Sequence, residues 1–170
     1  FQTLDDFTDP SAIEAVVEGI YNNGVVDIAL ISHGALTDQE SCQNDLSLCR
    51  QTIELNGVSP ALWAEAFVSR MEHRNHGKLV LMASVAGDRG RRTNYVYGAA
   101  KGLVTRYAQG LQHRLHGSAV KVILIKPGPT DTPMTERFKA KGMRMADVET
   151  VARDILRSVE RGKPEIYTPK

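Results

Sequence analysis

Apolar residues fall at Ile13, Val16, Val17 and Ile20, the three-and-four spacing of one helical face. Asp9-Pro10 just ahead offers a cap and a proline suited to the first helical position, and Asn22-Asn23-Gly24 ends the run. The next stretch, Val25 to Ser32, is short, continuous and β-branched, which predicts a strand covered on both faces. A long helical pattern runs from Gln43 to Glu72 with Pro60 inside it. Lys78 to Ser84 predicts a second strand, Asn94 to His116 a helix and Val120 to Ile125 a third strand. A last helix places Val148, Val151, Ala152, Ile155 and Val159 inward, with Asp147 as cap and Gly162 as stop. The closing EIYTP reads as a short strand. Strands and helices that alternate in this way predict an α/β chain, a parallel sheet with helices on both faces.

Composition narrows the picture. A chain of 170 residues, 42% apolar and 24% charged, can close one core, and no repeat or linker divides it, so residues 1–170 are expected to form one domain. The net charge of +1 gives no drive toward nucleic acid or acidic membranes. Cys42 and Cys49, seven apart in the long helical pattern, suit reduced thiols better than a disulfide framework. No apolar run approaches the ~18 residues of a membrane span. The first residues lack the basic and apolar regions of a signal peptide, so a cytoplasmic protein is expected.

Candidate chemistry gathers where ligands settle in open parallel sheets, beyond the carboxyl ends of the strands. Those exits are Ser32-His33-Gly34, Ser84-Val85-Ala86-Gly87 and Lys126-Pro127-Gly128. One helix then begins TNYVYGAAKG. Residues four apart share a helical face, so Lys101 stands over Tyr97 and not over Tyr95. An ammonium beside a phenol favours the phenolate, which lowers a pKa that starts near ~10 and readies the group for proton exchange. An isolated Y-x-x-x-K describes a plain surface pair equally well.

Tyr97-Gly-Ala-Ala-Lys101, with Ser84 at a strand end thirteen residues ahead of Tyr97, resembles the catalytic set of the short-chain dehydrogenases/reductases. Pro127 to Thr132 (PGPTDT) is similar to that family's P-G-x-x-x-T turn, which meets the nicotinamide end of the cofactor. Asp6-Phe7-Thr8-Asp9 resembles the step that flanks the adenine. The resemblance implies a Rossmann-like doubly wound sheet, NAD or NADP as cofactor, and hydride exchange with a small-molecule carbonyl or alcohol. It casts Tyr97 as general acid/base, Ser84 as hydrogen-bond donor to the substrate oxygen and Lys101 as partner of both phenol and ribose. Asn56 is cast as the helical residue whose carbonyl holds a relay water. Pro60, four residues on, has no N–H to give that carbonyl. Cofactor contacts are implied for Asp6, Phe7, Ser32, His33, Gly34, Tyr97, Lys101, Pro127, Gly128, Thr130 and Thr132.

The chain departs from the family in two places. The usual N-N-A-G keeps only its glycine in Ile31-Ser32-His33-Gly34, which would set His33 near the adenosine ribose unless it is an ordinary half-exposed polar residue. The opening strand, glycine-rich loop and helix that hold the pyrophosphate, and the strand after them, have no counterpart, so the domain is expected to be incomplete at its N-terminal end. Arg89, Arg91 and Arg92 offer planar donors to an anionic substrate, and together with RGKPEIYTP they resemble the branch of decaprenylphosphoryl-ribose 2-epimerase-type ketoreductases. A solvated arginine loop is the plain alternative. The H-x-x-H pairs His73/His76 and His113/His116 sit at helix ends and suit the helix dipole, and no metal is expected. Trp63, Phe67 and Met71 form a stripe that reads as core or as the contact of a homodimer or homotetramer. A redox-silent scaffold that only binds or regulates, or a chain unable to bind cofactor, remains the competing reading.

Overall fold

A computed structural model describes residues 6–140 and 142–169. The chain opens with helix α1 (Pro10–Asn22), whose cap is the Asp9 carboxylate accepting the Ser11 N–H at 3.0 Å. Strand β1 (Ile28–Ile31) follows, then α2 (Gln39–Asn44), α3 (Leu46–Ile53), a π turn (Glu54–Val58) and α4 (Ser59–Arg74). Strand β2 (Lys78–Met82) leads through a 3-10 turn (Val85–Gly87) to α5 (Tyr95–Arg114) and β3 (Lys121–Pro127). Short α6 (Glu136–Lys139), α7 (Val148–Glu160) and β4 (Glu165–Thr168) complete the order. The four strands are all parallel and lie side by side as β1-β2-β3-β4.

Helices cover both faces, as the alternation predicts, but unevenly. One face of β1, β2 and β3 packs under α1, α4 and α5 around Ile13, Val17, Val68, Met71, Leu79, Leu81, Val104 and Leu124. The other face carries Val80, Ile123, Ile125 and Ile166 against Val159 of α7. Each such aliphatic side chain contributes roughly 1.5–3 kcal/mol when fully withdrawn from water. Strand β1 is buried on one side only: Ala29 and Ile31 are in the core, while Ile28 and Leu30 are each 53% exposed. Of the expected strand 25–32 only the middle pairs, and its alternating burial replaces the two-sided cover its composition predicted.

The expected helix 43–72 is broken twice. Asp45 leaves the helical region at φ −136°, ψ 103°, and its carboxylate accepts the N–H groups of Ser47 and Leu48, so it caps α3 instead of continuing α2. Cys42 and Cys49 therefore sit on different helices, both as free thiols. The second break is the π turn, where the chain widens just before Pro60 removes a donor. In α7, Val151 and Val159 are buried as expected, whereas Val148 and Ala152 are exposed and face a cleft. No helix among the described residues is long and apolar enough to cross a membrane.

Candidate active site

The carboxyl ends of β1, β2 and β3 open into a cleft of about 570 Å³. Its lining includes Ser32, His33, Gly34, Ser84, Arg91, Tyr97, Lys101, Pro127, Gly128, Thr130 and Thr132, so eleven of the candidate residues meet in one place. Ser84 ends the β2 exit in extended backbone and its hydroxyl accepts the Ala86 N–H at 3.1 Å, which starts the 3-10 turn. That turn is pressed onto α5 through glycines. A Cβ on Gly98 would lie 2.7 Å from the Ala86 carbonyl oxygen, and one on Gly87 would lie 2.7 Å from the Lys101 carbonyl carbon. Only hydrogen at these positions lets Ser84 stand against the Tyr97 and Lys101 face of the helix.

Tyr97 faces inward and Tyr95 outward, at 45% exposure, as the helical spacing predicts. The pKa expectation is corrected. Burial pushes the Tyr97 phenol above its usual value, and the Ser84 side chain beside it pulls it partly back. Lys101 Nζ stands 5.8 Å from the Tyr97 ring centroid and donates to the Met82 carbonyl at 3.0 Å. It is 3% exposed, and burial lowers its own pKa to about 8. Desolvation decides the direction of the phenol's shift, an effect that residue spacing cannot reveal.

Asn56 is fully buried in the π turn. Its Nδ2 donates to the Thr52 carbonyl at 2.9 Å and its Oδ1 accepts the Ala35 N–H at 3.0 Å. Gly34 takes φ +155°, and a Cβ there would lie 2.6 Å from Asn56 Oδ1 and 3.5 Å from Lys101 Nζ. The glycine thus lets the β1 exit close onto the carboxamide and the ammonium together.

His33 is half-buried and packs against Phe7 with ring centroids 5.1 Å apart and the planes tilted by 38°. Its Nε2 lies 2.8 Å from Ser59 Oγ, and Ser59 gives its single proton to the Phe7 carbonyl at 2.5 Å. Ser59 must then accept from His33, which fixes the proton on Nε2 and leaves Nδ1 as an acceptor. Burial first and the Lys101 charge second lower the His33 pKa to about 4, so the ring is neutral near pH 7. Ser32 and His33 also line a second cleft of about 670 Å³ on the α1 side, and Phe7 lines that cleft and not the first. Asp6 lines neither cleft. Its Oδ1 accepts the Thr8 hydroxyl at 2.5 Å and the Thr8 N–H at 2.7 Å in a local turn, and these bonds lower its pKa.

Of the arginine loop only Arg91 lines the first cleft. Arg89 and Arg92 are exposed and outside it, because the loop turns away once Asp88 is anchored. That anchor was not anticipated. Lys126, 3% exposed at the end of β3, donates to Asp88 at 2.8 Å and to the Tyr167 hydroxyl at 3.1 Å, and also pairs with Glu165. Tyr167 in turn donates to Asp88 at 3.0 Å. The cluster ties the end of the Ser84 turn to β3 and β4. A lysine one residue before Pro127-Gly128, with an acid just beyond the serine turn, was the available signal. Gln39 was also missed: its Oε1 accepts the Val96 N–H at 3.0 Å and caps α5, where Asn94 makes no side-chain cap.

The family model for short chain dehydrogenases matches residues 2–142. A Streptomyces coelicolor protein named as an uncharacterized oxidoreductase is 31% identical over 167 residues, covering 96% of this chain and 64% of its own length. A Mycobacterium tuberculosis protein of the same description is 30% identical over 150 residues, 88% of this chain and 60% of its own. The chain thus spans less than two thirds of these relatives. Among solved structures, a Burkholderia cenocepacia short chain dehydrogenase in complex with NADP superposes with a TM-score of 0.84 at 20% identity, covering 97% of this chain and 67% of that one. A Sphingobium yanoikuyae short-chain dehydrogenase in complex with NADPH gives 0.85 at 23% identity, covering 96% and 65%. These likenesses show the Rossmann-type α/β fold.

Proposed function

The chain belongs to the short-chain dehydrogenase family, and from that premise we propose that it exchanges hydride between NAD or NADP and a carbonyl or alcohol substrate, with Tyr97 as general acid/base. The observation that carries the reading is the convergence of Ser84, Tyr97 and Lys101 on the floor of one cleft at the carboxyl ends of parallel strands. On this reading residues 1–170 are one Rossmann-type domain.

The donor set fits the nicotinamide-ribose half of such a cofactor. Lys101 is a buried ammonium whose one hydrogen-bond acceptor among the described residues is the Met82 carbonyl, which leaves N–H groups for ribose hydroxyls. The Pro127 to Thr132 turn lies across the same floor. Among the described residues no G-x-x-x-G-x-G turn opens a helix to receive the pyrophosphate.

When bound, the nicotinamide supplies hydride to the carbonyl carbon, or takes it from the alcohol in reverse. As the carbonyl π bond breaks, its electron pair moves onto oxygen, and the Tyr97 hydroxyl gives that oxygen its proton while Ser84 hydrogen-bonds to it. The raised pKa of the resting phenol keeps this acid loaded near pH 7. Lys101 stabilises the phenolate that remains, and the phenol is recharged past Asn56, whose carbonyl Pro60 cannot bond.

Titration of the protein with NADH and then NADPH, read by nicotinamide fluorescence, tests the reading together with nucleotide consumption on a ketone panel. Saturable binding of one nucleotide and ketone-dependent oxidation are expected. Binding without turnover on any ketone would favour the redox-silent scaffold, and loss of both would remove the cofactor assignment.

A further inference from the structure

Four of the chain's five methionines line the same cleft: Met82, Met134, Met143 and Met145. The fifth, Met71, is fully buried in the core beneath α4. Met82 reaches the cleft from the end of β2, and the other three come from the segment between β3 and α7, with Phe138 and Ile155 beside them. Met134 and Met143 are 42% and 47% exposed, so their thioethers face open space instead of packing into a core.

The segment that bears them is fastened on both sides of the cleft. Its base is closed by Ala146 N–H to the Pro129 carbonyl at 2.8 Å and Asp131 N–H to the Ala146 carbonyl at 2.9 Å. Across the opening, Arg137 donates to Asp38 at 3.0 Å and to the Thr37 carbonyl at 3.4 Å. Among the described residues no Asp or Glu lines the cleft, and Arg91 is its one charged side chain besides Lys101 at the floor. Neutral polar groups of Ser32, Thr93, Asn94, Thr130, Thr132 and Thr135 also line the cleft, but a hydroxylated body laid against the methionines, Phe138 and Ile155 would surrender its hydrogen bonds to water without replacement there. An apolar body gains roughly fourfold in binding per buried methylene, and flexible thioethers adapt to its shape.

We propose that the cleft takes a carbonyl compound with a long or bulky apolar body, its C=O on the Ser84/Tyr97 floor and its chain among the methionines. The position of the C=O rests on the proposed redox reading, whereas the apolar wall does not. The methionine wall favours such a body over sugars and other polyols.

The test labels the methionine methyl groups with carbon-13 and adds 2-octanone or dihydroxyacetone. With 2-octanone the resonances of Met82, Met134, Met143 and Met145 shift and that of Met71 stays in place, while dihydroxyacetone moves none. In turnover, kcat/KM climbs roughly fourfold per methylene from 2-butanone to 2-octanone, and a Met134→Gln/Phe138→Gln double variant flattens the climb. Unmoved cleft methionines with 2-octanone, or faster turnover of dihydroxyacetone, would overturn the proposal. Shifted methionines without turnover of any ketone would uphold the apolar ligand class and sink the redox reading instead.

Discussion

Lys101 is a cation drawn into a space of low polarity, and its titration is where the site's electrostatics can be read. In the unfolded chain it keeps its proton up to an ordinary value of 10.5, but in the fold only to about 8. Between those values the unfolded chain binds a proton that the native one does not, so this residue makes stability rise with pH. Below pH 8 the fold carries the full cost of the buried charge. Wild type should therefore gain about 2 kcal/mol relative to Lys101→Met between pH 7 and pH 10, measured by urea unfolding. A constant difference would mean that the ammonium is not desolvated. The pairing of Lys101 with Tyr97 was legible because helical period alone fixes it. The direction of the phenol's shift was not, because burial depends on α5 closing against the 3-10 turn and the β1 exit. His33 shows the same limit. Its place at a strand exit could be read, but its tautomer depends on Ser59 and Phe7, 26 residues on and 26 back.

At the scale of elements, the site depends on how closely the Ser84 turn approaches α5. Gly98 and Gly110 lie on the same helix and make a matched pair. A Cβ at Gly110 meets nothing within 4 Å, whereas one at Gly98 would meet backbone oxygen at 2.7 Å. Gly110→Ala should stabilise the protein by roughly 0.5–1 kcal/mol through helix propensity. Gly98→Ala should destabilise it by about 1–3 kcal/mol and lower turnover, because the Ser84 turn must move away from Tyr97. Thermal unfolding and turnover of the two variants check this, and equal stabilisation by both would contradict it. Element order, the Asp9 and Asp147 caps and the final strand were legible from period and turn chemistry. The breaks at Asp45 and at the π turn were not. An Asp within a polar helical stretch gives no sign that it will cap from inside, and Pro60 signals a lost bond without saying how the chain widens around it. The Lys126 cluster also escaped, since its partners lie 38 and more residues apart.

At the scale of the whole molecule, a parallel sheet gathers three strand exits at one edge, so residues distant in sequence share a floor. That arrangement, the helices on both faces and the family were all readable before any coordinate. The uneven cover takes form in Ile28 and Leu30, each 53% exposed on the open face of β1. Of the three arginines close in sequence, only Arg91 lines the cleft, beside an Asp88 that is tied to Lys126. The central claim is that Ser84 and Tyr97 act on one carbonyl oxygen. A double-mutant cycle of Ser84→Ala and Tyr97→Phe, read as ketone-dependent nucleotide oxidation, tests it most directly. Removing the proton donor should cost on the order of 10²–10⁴ in rate, and the double variant should lose little more than Tyr97→Phe alone because both groups serve the same atom. Undiminished turnover in Tyr97→Phe, or fully additive losses, would contradict the account.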